Sequence, residues 1–429
     1  MRKFTLLFFM GLISVVATAQ QDYWSSRSNA GGITTDKAVA RLSFPKEFKL
    51  FNLNIEPLRQ QLFSIVGANA RANSTIISLP NAEGAKEQFE VFEASNFEPA
   101  LQARFPEIRA YSGRGISDKG SMLKLSISPQ GIQTMVFRND GKPNEYIEPY
   151  SQDHTVYAVF KSQRNKGGLP WVCSTLEQEL AQGLNNRLYS SRIESSAGQL
   201  KTMRLAQSCN GEYANYFGAT SSAQVALVLA AFNATLTRTN GCYEKDLGIH
   251  LNLVPETVNV IFYDPATDPY TTLANWNTQL QITLNTTLTG PGTTLAANNA
   301  AYDIGHMFGA SGGGGNAGCI GCVCVDGVPS GTGATKGRGI TSPADGIPQG
   351  DNFDIDYVAH EVGHQLGANH TFSMSNEGTG VNKEVGSGIT IMGYAGITSQ
   401  DVAPHSIDIF HQASIEQIQV NMIGKTCPV

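Results

Sequence analysis

The chain has 429 residues, 41% of them hydrophobic and 15% charged, with a formal net charge of −6. That length holds two or three domains with buried cores and excludes a small disulfide-stapled module. Charge this sparse, and acidic on balance, gives no electrostatic footing for nucleic acid or for an anionic membrane surface, both of which need clustered Lys and Arg.

The chain opens with Arg2 and Lys3, an apolar run from Phe4 to Val16, and Ala17-Thr18-Ala19. Basic, apolar, then small is the order of an export signal, here cut after Ala19. The run is shorter than the roughly 20 residues that cross a bilayer. Export places the seven cysteines where pairing is the default, and an odd number leaves one over. From Gln20 to about Lys161, short β-like runs such as Ser121–Ile127 and Thr155–Phe160, broken by Gly and Pro, predict a β-rich domain. It holds one histidine, His154, and no cysteine, so it lacks the material for a metal or nucleophile site. Between Lys161 and Leu200 the pattern weakens into Ser, Gln, Asn, Gly and scattered basic residues, a connecting segment open to proteases.

After Lys201 the texture changes. Met203–Ala206 reads as a strand, and Val225, Leu229, Phe232 and Leu236 recur at helical spacing. Strands are expected at Leu247–Val254 and Thr257–Tyr263, a helix around Trp276–Leu288, and a strand at Tyr302–Phe308. This alternation predicts an α/β layer with helices on a mixed sheet. The glycine run Gly312–Gly315 lacks the Lys-Ser/Thr pair of a phosphate loop and is expected to be a flexible loop beside a cleft. Near the end, Ser414 precedes Ile415, Ile418 and Met422, with Gly424 after them, as in a capped amphipathic helix.

Residues His360 to His370 read HEVGHQLGANH. His360 and His364 lie on one face of a helix and can offer two imidazole nitrogens to one ion. Val358, Val362 and Leu366 share the opposite, apolar face. Glu361 projects beside the ligands, where a carboxylate can take a proton from water held on the metal without itself ligating. Gly367 tolerates the backbone conformation that ends a helix and turns the chain, which brings His370 back as a third ligand. Three nitrogens and one open position describe a catalytic zinc (Zn2+) site, whereas a structural site is closed by four protein ligands.

HEVGHQLGANH resembles the H-E-x-x-H-x-x-G-x-x-H signature of metzincin zinc endopeptidases, and its texture is similar to the reprolysin-like secreted bacterial branch. Ile391-Met392-Gly393-Tyr394, with Met392 22 residues after His370, matches the family's methionine turn, which places Met392 beneath the metal. The resemblance covers about Lys201 to Val429. It implies an α/β (α+β) catalytic domain: an upper part with a twisted mixed sheet and the zinc helix, and a smaller irregular part after Gly367. It also implies protein or peptide substrates and leaves calcium (Ca2+) as a second candidate cofactor. Thr371 stands where adamalysins carry Asp and astacins Glu. Tyr394 looks like the tyrosine that astacins and serralysins place near the metal to stabilise an oxyanion, and otherwise reads as a packed turn residue.

Cys173 is the only cysteine before the catalytic segment. The other six can pair among themselves, and zymogens of the resembled family often fill the fourth zinc position with a prosegment thiolate, so Cys173 is a candidate metal ligand. A disulfide or an idle thiol is the plainer alternative. Cys319, Cys322 and Cys324 are expected in disulfides rather than in a second zinc site, and Cys209 is expected to pair with Cys242. His154, His250, His306, His405 and His411 have no partner at ligand spacing and are read as structural. The expected organisation is a signal peptide over 1–19, a β-rich propeptide domain and linker over 20–198 cut within Arg187 to Lys201, and a zinc metallopeptidase domain over 199–429. The competing reading is a zinc-stabilised binding or adhesion module of the same fold with little or no turnover. A peptidase or amidase specific for one partner would share the chemistry and differ only in its cleft.

Overall fold

The computed structural model describes residues 22–67, 73–139, 141–163, 171–176, 199–375 and 377–428. The export signal, and the expected maturation segment up to residue 198, lie outside the described residues. Among the described residues no helix is long and apolar enough to cross a membrane.

The N-terminal half is a nine-stranded antiparallel sheet, as its broken β-like runs predict. Its strands are Trp24–Arg27 (β1), Lys49–Leu53 (β2), Thr75–Pro80 (β3), Lys86–Glu93 (β4), Arg109–Gly115 (β5), Met122–Ser128 (β6), Gly131–Phe137 (β7), Glu145–Pro149 (β8) and Val156–Lys161 (β9), in the order β1-β2-β9-β8-β7-β6-β5-β4-β3. One face encloses its own core, around Trp24, Phe51, Phe89 and Tyr157. The other face contributes Met135, Phe137, Tyr146 and Phe160 to a second core that continues into the C-terminal half.

The C-terminal half is built on a six-stranded mixed sheet. Its strands are Val172–Cys173 (β10), Lys201–Cys209 (β11), Ile249–Leu253 (β12), Ile304–Phe308 (β13), Gly314–Asn316 (β14) and Gly339–Ser342 (β15), in the order β10-β14-β15-β13-β11-β12. Strands β12, β11, β13 and β15 run parallel, and β14 is antiparallel to β15. Between β11 and β12 runs the long helix Val225–Leu247, buried at every residue from Phe232 to Tyr243. A helix buried all round needs cover on both sides. The C-terminal sheet supplies one side and the N-terminal sheet the other.

Four expectations are corrected. Thr257–Tyr263 is no strand: Pro255 pre-sets the φ of a helical first turn, the chain winds into a 3-10 turn over Pro255–Val260, and only Ile261 bridges Cys209. The glycine run is not simply a loop, since its second half opens strand β14, which pairs with β10 on one side and β15 on the other. The last helix spans Gln412–Ile423 and is capped by His411, whose ring accepts from the Ala413 N–H, rather than by Ser414. Cys209 does not pair with Cys242; both are buried and unbridged, like Cys173. The parallel β11–helix–β12 crossover puts Cys209 at the far end of β11 while Cys242 lies in the last turns of the returning helix. The disulfides are Cys319–Cys322 and Cys324–Cys427, the latter closing a separation of 103 residues. Three of the four bridged thiols thus come from the cluster expected to form disulfides.

Candidate metal centre

The site grows from one continuous helix. Asn352–Ala359 is wound as a wide π-type helix and passes directly into the α-helical His360–Leu366. Val358, Val362 and Leu366 are buried in the shared core, as their spacing predicts. Gly367 ends the helix at φ 131°, and its N–H bonds back to the carbonyls of Gly363 and His364. A Cβ at Gly367 would also lie 3.0 Å from Cβ of Asn421. The chain then reverses, and His370 returns to face the two helix histidines.

The three Nε2 atoms converge at separations of 3.3 Å (His360–His370), 3.2 Å (His360–His364) and 3.1 Å (His364–His370). His360 Nδ1–H donates to the Ile391 carbonyl at 2.7 Å and His364 Nδ1–H to the Ala368 carbonyl at 2.7 Å. His370 Nδ1 lies 3.5 Å from Glu377 Oε1. The two carbonyls hold His360 and His364 in the tautomer whose Nε2 lone pair faces inward. Burial, together with the facing His370 and His360 rings, pushes His364 well below its ordinary pKa, so it stays neutral and able to ligate. Cys173 Sγ stands 3.7 Å from His364 Nε2, and the four ligand atoms lie within 4.8 Å of one another.

A family model described as metallo-peptidase family M12B, reprolysin-like, matches residues 199–422. The chain is a reprolysin-like metallopeptidase of family M12B. No curated protein matches it. The matched region begins two residues before β11 and leaves the β-rich half and β10 outside.

Members of this family depend on zinc, and the donor set of this metallopeptidase fits zinc. Tetrahedral bonds of 2.0–2.1 Å to nitrogen and near 2.3 Å to sulfur set nitrogens about 3.3 Å apart and sulfur about 3.6 Å from nitrogen, close to the three nitrogen separations and to the distance of Cys173 Sγ from His364. Among the described residues no second cluster of His, Cys, Asp or Glu side chains of this kind occurs, so calcium finds no support here. Met392 is fully buried, and its sulfur would lie 2.6 Å from a Cβ at Gly363. Glycine at the fourth position of HEVGH therefore admits the thioether under the helix. The Met392 carbonyl accepts from the Thr371 N–H at 3.2 Å, and the neighbouring Ile391 carbonyl holds His360.

Glu361 is fully buried. Burial pushes its carboxyl up to about 7, against the lowering contacts of Cys173 and Thr175. Its Oε2 accepts from the Thr175 hydroxyl at 3.0 Å, and that hydroxyl in turn accepts from the Ala317 N–H at 2.8 Å. Its Oε1 packs against β14, where a Cβ at Gly315 would lie 2.2 Å away. Cys173 and Thr175 both belong to the segment containing β10, which lies parallel to β14 in the register Val172↔Gly314 and Cys173↔Gly315. Trp171, one residue earlier, stacks on Tyr357 at 4.3 Å between ring centroids. Burial and the Glu361 carboxylate push the Cys173 thiol up.

His360, Glu361, His364, His370, Cys173 and Met392 thus come to one place. Tyr394 joins them with its ring centroid 4.6 Å from that of His370 and its hydroxyl donating to the Cys173 carbonyl at 3.5 Å, and burial pushes its hydroxyl well up. Among the described residues the five histidines outside the motif join no such ligand cluster, and His306 is bonded to Gln365 and Thr341. Sequence reasoning missed Thr175, Gly315, Gly363 and Glu384. Glu384 Oε1 accepts from the hydroxyls of Thr371 and Thr390, and its Oε2 from the N–H groups of Ile389 and Thr390 at 2.7 and 3.0 Å. Gly363 was visible, since glycine inside a helix costs about 1 kcal/mol and so asks for a reason.

Proposed function

We propose that this metallopeptidase is a secreted zinc endopeptidase made as a latent precursor. The observation that carries the reading is the convergence of three inward-facing Nε2 atoms beside the buried carboxylate of Glu361. Zinc, when bound, supplies a Lewis acid that polarises the scissile carbonyl and activates water. His360, His364 and His370 would hold it. Glu361 takes the proton of the attacking water and returns it to the leaving amine, and a carboxyl raised towards neutrality suits both steps. The Tyr394 hydroxyl borders the same space and is placed to donate to the developing oxyanion. Backbone groups of β14 now paired with β10 are free to pair with an extended polypeptide once β10 leaves, which favours cleavage within chains. Gly315 leaves room there for Glu361.

Latency follows from β10. Cys173 occupies the fourth ligand position and Thr175 holds the oxygen that Glu361 would use. Two disulfides and the basic–apolar–small N-terminal sequence support export.

The test is hydrolysis of unfolded casein by the full-length parent, its Cys173→Ser variant and the Cys173→Ser/Glu361→Gln double variant, at matched zinc content. The uncut parent should be silent, Cys173→Ser should cleave, and the double variant should lose on the order of 10²–10⁴ of that rate. A parent as active as Cys173→Ser sinks the latency. Silence of Cys173→Ser, and of the parent after linker cleavage, with zinc bound, would favour the non-turnover binding module.

A further inference from the structure

The structure shows how the β-rich half sits on the catalytic half, and three independent features make that contact the kind found inside a domain. The first is close packing. Gly241 lies in the middle of the long helix Val225–Leu247, and a Cβ there would stand 2.7 Å from Cε2 of Phe137 on β7. A helix-interior glycine is unfavourable for the helix alone; here it admits an aromatic ring from the other half.

The second is buried charge. Arg238 of the long helix is fully buried and donates to Asp354 Oδ2 at 2.9 Å within its own half. It also meets Glu148 Oε1 of β8 at 2.8 Å, donates to the Thr134 carbonyl of β7 at 3.2 Å, and lies 5.0 Å from the Tyr146 ring centroid. Glu148 is shared with Arg41, at 2.7 Å. Breaking a buried pair leaves an uncompensated charge, which is strongly unfavourable.

The third is backbone pairing. Leu253 N–H, at the end of β12, donates to the Asn96 carbonyl at 2.7 Å, and Glu98 N–H donates to the Leu253 carbonyl at 3.0 Å. The N-terminal half thereby covers an otherwise open sheet edge. The Asn96 amide donates to Asn233 Oδ1 at 3.0 Å and Thr237 Oγ1 at 2.9 Å, and its oxygen accepts from Asn240 at 2.9 Å.

We infer that the β-rich half is a permanent partner of the catalytic half: after the linker is cut it stays docked on the long helix, and maturation has only to dislodge the strand bearing Cys173 and Thr175. An interface with an apolar centre continuous with a domain core, closed by buried pairs, belongs to the obligate class. The mature enzyme is then a two-chain particle. Arg164 and Lys166 precede the inhibitory strand in the sequence and Arg187 and Arg192 follow it, so cuts on both sides would release it without touching the docked sheet.

This inference rests on the latent-precursor reading for its setting but is tested without turnover. Full-length Glu361→Gln protein is cut on both sides of the inhibitory strand by trypsin, or by a specific protease at sites inserted beside Lys166 and between Arg187 and Arg192, and passed over a sizing column at low micromolar concentration. Low and high salt are both used, because buried pairs are little screened. Two fragments on a denaturing gel within one peak at the uncut chain's elution volume are expected. Separate peaks, or an N-terminal fragment free while the catalytic fragment aggregates, would overturn the inference and leave the peptidase reading untouched.

Discussion

Glu384 shows how a site of this kind can relocate one of its supports. Thr371 follows the third histidine, and a carboxylate arrives at that spot from elsewhere in the chain, because Glu384 accepts from its hydroxyl. The same carboxylate accepts from two N–H groups and a hydroxyl of the turn that carries Met392. It therefore ties the chain after His370 to the floor of the site. Glu384→Ala leaves these buried donors without their acceptor, at about 1–3 kcal/mol for each left unsatisfied and less than additively. The expected result is a melting temperature lower by several degrees and zinc held about 10–100-fold more weakly, read by thermal scan and by competition with a chelator. Glu384→Gln, which keeps an acceptor oxygen, should lose less on both counts. None of this could be read along the chain: HEVGHQLGANH is legible because helical periodicity is local, whereas Glu384 and Thr175 acquire their meaning only when distant segments meet.

At the scale of elements, the zinc helix is fastened to the sheet by a buried polar triad. His306 on β13 donates from Nδ1 to Gln365 Oε1 at 2.7 Å and accepts at Nε2 from Thr341 of β15 at 2.9 Å, while Gln365 Nε2 donates to the Gly305 carbonyl at 2.9 Å. Burial pushes His306 down to about 4 from its ordinary 6.5. Between those values the unfolded chain binds a proton that the folded one refuses, so stability rises with pH across the window. The contribution is full above pH 6.5 and is lost as pH falls towards about 4. In melting temperature against pH, His306→Asn should therefore show a shallower decline over that window than the parent, although its stability at pH 7 is lower. An equal slope would mean that His306 does not carry this proton linkage. Elements themselves were unevenly legible. The long helix and β11, β12 and β13 follow their apolar periods. Thr257–Tyr263 has strand-like residues overruled by Pro255, and the glycine run hid a strand because glycine has little intrinsic preference for one. Contact with Glu361, which no local pattern records, explains the glycine at 315.

For the molecule as a whole, the sequence divides into two halves by texture, and that division is real in topology but not in packing. The β-rich sheet was legible from its broken β runs. Its contact with the long helix was not, because the same apolar residues could equally have closed a separate core. Gly241 marks the junction. On a free helix, Gly241→Leu would gain about 1 kcal/mol from helix propensity; against Phe137 it overpacks, at a cost of about 1–3 kcal/mol. The full chain should therefore melt a few degrees lower than the parent. A higher melting temperature would show that the helix does not meet the β-rich half in solution.

The bond between Cys324 and Cys427 has a consequence for wear. His360, Glu361, His364, His370, Glu384 and Met392 all lie between its two ends, so the three histidines, the carboxylate beside them and the methionine beneath sit inside one covalent ring. A peptidase among its own kind is exposed to stray cuts, and on an open chain a single nick frees a tail. Here a nick between residues 325 and 426 only linearises the ring: the new ends stay tethered, the folded packing can hold them in register, and a second cut is needed before anything is lost.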